Sequence, residues 1–252
     1  MRYGIYGGGF DPVHLGHLLV AESCLRGVGL DRVIFVPTGI SPHKNAKNSY
    51  AATAIDRYNM LLLALDGYEE FEVSRFEIDR NTISYTIDTL RYFHNKLNNV
   101  AKNTNQNYRN NNSHTNPAVN SNVNSNVSSG VKIGVDSVVE IFLIMGCDMF
   151  CDLPNWREVD EILKLAAPIV VLRNGSNLPE TNINYITVNM PIIDLASSKI
   201  RNMIENNIPP RFQITKETLN YIKKNNLYKK NEVEDSFLFN RREHRVHREE
   251  NF

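Results

Sequence analysis

The sequence predicts an α/β fold, a doubly wound, mainly parallel sheet with helices on both faces. Three observations point there. Apolar runs of strand length, RVIFVP (Arg32 to Pro37), VVEIFLIM (Val138 to Met145) and APIVVL (Ala167 to Leu172), lack the polar alternation of a half-exposed strand. Segments with helical spacing fall between them, which parallel neighbours require for their crossovers. The chain also passes from a short apolar run (Tyr3, Ile5, Tyr6) through a glycine turn into Leu18, Leu19, Val20 and Ala21, reading as strand, turn and helix start. Such a sheet binds ligand at the carboxyl ends of its strands.

The remaining elements follow in order. After the Pro37 stop comes a loop with Gly39, Pro42, His43, Lys44 and Lys47. Ala54 to Leu65 has helical spacing, with Ile55, Tyr58, Met60, Leu61 and Leu65 supplying its apolar face. Phe71 to Phe76 reads as a short strand, and Ser84 as the N-cap of a helix running through Leu97. Residues 98–130 break the pattern, since 13 of these 33 residues are Asn and no periodicity survives. Too little apolar surface is available there to offset the entropy of ordering, so a disordered insertion is expected. Trp156 to Leu165 reads as a helix, Tyr185 to Val188 as a short strand, and Ser197 to Asn206 and Thr215 to Asn225 as helices. A single domain over residues 1–230 results, followed by a charged tail over 231–252.

Composition narrows the class. A chain of 252 residues suits one α/β domain with insertions. Lys plus Arg and Asp plus Glu are 28 each, which gives no electrostatic footprint for a nucleic acid. No apolar run approaches the ~20 residues of a membrane span, and MRYGIYGGGF enters a strand directly, without the pattern of a signal peptide. A cytoplasmic location is expected, with a nuclear one and homo-oligomerisation left open. Cys24, Cys147 and Cys151 lack zinc-site spacing and read as free thiols.

The richest stretch is GGGFDPVHLGH, residues 7–17. Glycines there let backbone N–H groups approach a phosphate. His14 and His17 lie i, i+3 at a helix start, on one face beside unpaired N–H groups and the positive end of the dipole. The combination describes a polyphosphate site. It is neither a P-loop nor a GxGxxG fingerprint. Ser84-Tyr85-Thr86 opens another helix, whose first N–H groups suit a carboxylate or simply a capped helix end. Asp148, after Gly146 and a buried strand, can accept from ribose hydroxyls. Trp156 suits ring stacking and core packing equally. Ser197, Ser198 and Arg201 at a further helix start can grip phosphate oxygens.

GGGFDPVHLGH resembles the G-x-F-D-P-x-H-x-G-H signature of the nucleotidylyltransferase superfamily, which implies a Rossmann-like core and nucleotidyl transfer from an NTP with loss of pyrophosphate. The order GGGFDPVHLGH, Pro42-His43-Lys44, Ser84-Tyr85-Thr86, Gly146-x-Asp148 with downstream Trp156, and SSKIR resembles the bacterial-type nicotinate-nucleotide adenylyltransferases, and NNLYKK near residue 230 fits the end of that family. The resemblance implies that Gly8, Gly9, Phe10, His14 and His17 bind ATP and its phosphates. It places the adenosine ribose on Gly146 and Asp148, and ATP phosphates on Ser197, Ser198 and Arg201. Tyr85, Thr86 and Trp156 would receive the nicotinate of nicotinate mononucleotide, with His43 and Lys44 near the mononucleotide or the phosphates. His14, His17 and Arg201 would be catalytic, with Mg²⁺ on the ATP phosphates. Two positions depart from the family: Gly9 stands where Thr is frequent, and Ala196 replaces a hydroxyl residue. A sister enzyme, such as a phosphopantetheine adenylyltransferase or a cytidylyltransferase, and a non-catalytic nucleotide-binding regulator are the alternatives.

Overall fold

The computed structural model describes residues 1–42, 50–80, 82–112, 138–172, 178–190 and 193–229. Their elements run β1 (Arg2–Gly8), α1 (Leu15–Val28), β2 (Arg32–Pro37), α2 (Ala54–Ala64), β3 (Phe71–Val73), α3 (Thr86–Asn112), β4 (Glu140–Gly146), α4 (Cys147–Asp152), α5 (Val159–Leu165), β5 (Ala167–Leu172), β6 (Ile186–Asn189), α6 (Ser197–Glu205) and α7 (Lys216–Lys224). The six strands pair in parallel in the order β3-β2-β1-β4-β5-β6.

Both faces of the sheet are covered, as continuous apolar strands demand. On one face α1 (Ala21, Cys24, Leu25), α2 (Met60, Leu61), α6 (Ile200) and α7 (Ile222) pack on Val33, Phe35 and Ile144. On the other, α3 (Ile87, Leu90, Phe93), α4 (Phe150) and α5 (Ile162) pack on Ile5, Ile34, Val36 and Leu143. Neighbours along β2 thus point to opposite cores, the period of two expected of a strand. Thr53 caps α2 by accepting from the Asp56 N–H at 3.1 Å, and Thr215 caps α7 from the Thr218 N–H at 3.2 Å. α1 ends at Gly29, whose φ of 67° is the left-handed turn that glycine adopts without strain. Burial pushes the Cys24 thiol up to about 12, so it is an inert core thiol. No helix among the described residues is long and apolar enough to cross a membrane.

Several boundaries differ from expectation, each for a physical reason. β3 stops at Val73 rather than Phe76, because the Ser74 hydroxyl accepts from the Phe76 N–H at 3.2 Å and turns the chain. α3 begins at Thr86, and Ser84 does not cap it; its hydroxyl turns inward beside the Glu77 carboxyl. α3 also runs past the expected end at Leu97, to Asn112. The buried stripe Ile87, Leu90, Phe93 and Leu97 anchors the helix. Propagation then adds one hydrogen bond per residue, and no Gly or Pro interrupts the sequence before Pro117. Trp156 is not helical: Leu153–Asn155 forms a 3₁₀ turn, Trp156 is extended, and α5 starts only after Glu158, in the left-handed region at φ 56°. The other helices and strands fall within a few residues of their expected bounds. His43, Lys44, Lys47, residues 113–130 and the tail 231–252 lie outside the described residues.

Candidate active site

Strand order reverses between β1 and β4, the only adjacent pair in this sheet whose crossovers leave in opposite directions. Their carboxyl ends, Gly8 and Gly146, therefore open a crevice of the kind that binds ligands in doubly wound sheets. A cleft of about 700 Å³ occupies it, lined by Gly7, Gly8 and Gly9, by Tyr85, Thr86 and Thr89 at the start of α3, and by Asp152, Trp156 and Arg157 beyond α4. The first glycine turn and the Ser84-Tyr85-Thr86 helix start, 76 positions apart between Gly9 and Tyr85 (85 minus 9), thus share one cavity.

On the opposite side of the glycine turn, His14 stands as the N-cap of α1 in extended backbone (φ −144°, ψ 168°). Its backbone N–H donates to His17 Nδ1 at 3.2 Å. A nitrogen that accepts cannot carry the proton of a neutral imidazole, so the bond selects the tautomer with hydrogen on Nε2. His17 therefore presents a donor on its far edge. The two imidazoles stack with centroids 3.7 Å apart. Phe10 is 2 % exposed and meets the His17 ring edge-on at 5.0 Å. Its buried ring thus packs against His17.

α6 closes this wall. The Arg201 guanidinium donates to the Asp11 carbonyl at 2.6 Å, and the Ser197 hydroxyl to the Pro12 carbonyl at 3.0 Å. Ser197 and Ser198 occupy the first turn of α6, with Ala196 as an N-cap lacking a side-chain acceptor. Gly146 is the N-cap of α4 and Asp148 lies in its first turn. The expected site residues thus divide. Gly8, Gly9, Tyr85, Thr86 and Trp156 line the large cleft, whereas Phe10, His14, His17, Ser197, Ser198 and Arg201 gather on the α1/α6 side. Gly146 and Asp148 sit at the β4 end and do not line the cleft.

Four residues escaped the sequence reading as site builders. Asp11 is 5 % exposed; its carboxylate accepts from the Ala51 N–H (2.8 Å), the Ala52 N–H (3.1 Å) and the Tyr228 hydroxyl (2.8 Å). Arg57 is 1 % exposed and donates to the Gly9 and Thr38 carbonyls at 2.7 and 2.6 Å. Its signal was available: Arg57 precedes Met60, Leu61 and Ala64 by helical spacing, a charge on the buried face of α2. Glu77 is buried in the cleft wall and accepts from the Thr89 hydroxyl at 2.6 Å. Burial pushes its carboxyl above the ordinary range, opposed by Thr89, Ser84 and the Gly39 N–H. Arg157 lays its guanidinium 4.8 Å from the centroid of Tyr85. Trp156 is tethered by its Nε1–H to Asp152 Oδ2 at 3.2 Å. Cys147 and Cys151 lie one turn apart on α4, their thiols in contact. Among the described residues, no group of three or more His, Cys, Asp or Glu side chains could hold a metal ion.

The fold and the two-walled crevice define a nucleotidyl-transfer architecture, and the chain belongs to the cytidylyltransferase-like family, whose model matches residues 5–203. Within that class it falls among the nicotinate-nucleotide adenylyltransferases. It is 30 % identical over 240 residues to a Caldicellulosiruptor saccharolyticus protein, covering 91 % of this chain and 100 % of the other. It is 32 % identical to one from Bacillus licheniformis, covering 90 % and 98 %. Both carry the name "probable nicotinate-nucleotide adenylyltransferase". The fold matches that of the Plasmodium falciparum nicotinic acid mononucleotide adenylyltransferase complexed with NaAD, at a TM-score of 0.58 and 19 % identity, covering 90 % of this chain and 97 % of that one.

Proposed function

We propose that this enzyme transfers the adenylyl group of ATP to nicotinate mononucleotide, releasing pyrophosphate, with ATP on the α1/α6 wall and the mononucleotide in the cleft beside α3. One observation carries the reading: the glycine turn and the N-terminus of α3 open into the same cavity of about 700 Å³. Phosphate chemistry and a carboxylate-accepting helix end are thereby brought within reach of one dinucleotide product.

The 5′-phosphate oxygen of the mononucleotide attacks the α-phosphorus of ATP in line. A new P–O bond forms as the bond from the α-phosphorus to the bridging oxygen breaks, and the electron pair leaves with pyrophosphate. The nucleophile is already ionised at neutral pH, so no base is required, and the protein contributes position and charge stabilisation. His17, with its hydrogen on Nε2, donates to the α-phosphate oxygens as charge builds. His14 lies against it and shares that role. Arg201 leaves the Asp11 carbonyl to meet the departing phosphates, a bidentate fork for which its one-third side-chain exposure gives room. Ser197 and Ser198 assist from the first turn of α6. Mg²⁺ carried on the triphosphate oxygens would supply charge neutralisation there. Gly146 and Asp148 take the adenosine ribose.

In the cleft, the N–H groups of Tyr85, Thr86 and Ile87 face the pyridine carboxylate, and Trp156 stacks on the ring. A carboxamide would set its own NH₂ against those donors, so the pocket selects nicotinate over nicotinamide. The experiment is pyrophosphate release from MgATP with nicotinate mononucleotide, nicotinamide mononucleotide and phosphopantetheine as parallel acceptors. The expected result is a kcat/KM for nicotinate mononucleotide far above the other two. A preference for the carboxamide would end the pocket argument, and turnover with phosphopantetheine alone would assign a sister enzyme.

A further inference from the structure

Arg57 is a fully buried cation that the chemistry above does not use, and the two carbonyls it donates to lie at the carboxyl ends of β1, which borders the switch point, and its neighbour β2. Gly9 O lies just beyond β1 and Thr38 O just beyond β2. The guanidinium is also seated against the Tyr50 ring, 4.0 Å from its centroid. Gly8 is tied back in the same direction, because its carbonyl accepts from both the Thr38 N–H (2.9 Å) and the Thr38 hydroxyl (3.2 Å). In a trans peptide the N–H points opposite to the C=O. Fixing the Gly8 and Gly9 carbonyls on one side therefore aims the next two amides, those of Gly9 and Phe10, to the other. Two successive amides so aligned make an anion-binding nest.

We propose that Arg57 is a positioning residue for ATP: clamped by Tyr50, it holds and polarises the Gly9 peptide so that the amides of the first turn converge on a phosphate. A charged donor on the Gly9 oxygen draws electron density from that peptide and makes the Phe10 N–H a stronger donor. The same contact explains why residue 9 is glycine here. A Cβ on Gly9 would fall 2.6 Å from Tyr50 Cε1, so any side chain must evict the ring that seats Arg57. Gly9, Tyr50 and Arg57 form one unit, and the missing hydroxyl at position 9 is the condition for the clamp. The inference rests on the ATP half of the reading above and is independent of the acceptor.

The test is calorimetric titration of MgATP into the full chain and its variants, beside melting temperature and steady-state turnover with nicotinate mononucleotide. Arg57→Met should weaken MgATP binding about tenfold or more, the effect of losing a hydrogen bond to a charged group. The acceptor KM should stay near that of the unaltered chain, and Arg57→Lys should recover part of the affinity. Arg57→Met is a buried change, so a second arm keeps the test sound if it fails to fold. Gly9→Thr alone should weaken MgATP binding, and in a Tyr50→Ala background the same substitution should have little further effect. Folded Arg57→Met with unaltered MgATP affinity would overturn the proposal, as would fully multiplicative effects at positions 9 and 50. Binding of MgATP by the unaltered chain without turnover would instead count against the acceptor assignment, leaving the Arg57 comparison intact.

Discussion

The two walls of the crevice are held by different forces. The α1/α6 wall rests on buried and half-buried polar groups that reach across the chain: Asp11 gathers Ala51, Ala52 and Tyr228, Arg57 spans Gly9 and Thr38, and Arg201 and Ser197 hold the Asp11-Pro12 backbone. The α3/α4 wall has a buried apolar base but an exposed rim. There Arg157 leans on Tyr85, Trp156 on Asp152, and the Arg91–Glu158 pair at 2.5 Å has side chains 45 % and 38 % exposed. Exposed pairs of that kind contribute about 0–1 kcal/mol. Removing one partner from a buried set leaves the others unsatisfied and costs far more. The difference suits the proposed division of substrates: a triphosphate demands donors fixed before it arrives, whereas a planar ring is received by side chains that can settle around it.

The largest effect is expected where that contrast is sharpest. Asp11→Ala strands one buried and two part-buried donors and removes a buried carboxylate close to Arg57 and Arg201. A destabilisation of about 3–5 kcal/mol is expected from breaking such a set, read as the change in denaturation free energy. Glu158→Ala on the other wall should leave stability close to that of the parent. Equal effects on the two sides would break the comparison.

Next in size is a chemical effect without a structural one. His17 carries its donor at the edge of the α1 wall, and its Nδ1 accepts from the His14 backbone N–H at 3.2 Å. His17→Ala should lower kcat by ~10²–10³-fold, the measured scale for losing one transition-state donor, with a melting temperature close to that of the parent. Near-normal turnover would remove His17 from the chemistry. Loss of folding would make it part of the Asp11 framework instead.

What could be read in advance tracks the range of the interactions. β2 and β5 were legible to the residue because four to six apolar residues in a row leave few alternatives. His14 and His17 were legible because their relation is local, three residues apart on one turn. The hub at Asp11 was not, since its partners lie 40, 41 and 217 residues away and no short pattern encodes them. Tyr228 is instructive: it was noticed only as part of a familiar chain ending, and the structure supplies the reason, a phenol reaching back to the first loop. The far end of α3 was not legible, because an asparagine-rich composition reports what residues would do alone and omits the helix already nucleated upstream.

The smallest expected effect isolates Glu77, a buried acid in the cleft wall. Glu77 accepts from Thr89 at 2.6 Å, yet burial outweighs that bond and raises its carboxyl above the ordinary value near 4.5. The folded state then holds the proton at pH values where the unfolded chain has released it. Its contribution to stability is therefore fully present below the unfolded value and is lost as pH rises through the folded one. Glu77→Gln keeps the size and an oxygen for Thr89 but cannot titrate. Plotted against pH, the stability of the parent relative to this variant should fall from about 4.5 upward and then level off. Parallel curves would mean that Thr89, Ser84 and Gly39 fully offset the burial, and the acceptor wall would then resemble the Asp11 side after all. A difference that opens instead on acidification would reverse the sign and show that those donors dominate, making Glu77 a carboxylate held ionised beside the α3 helix start.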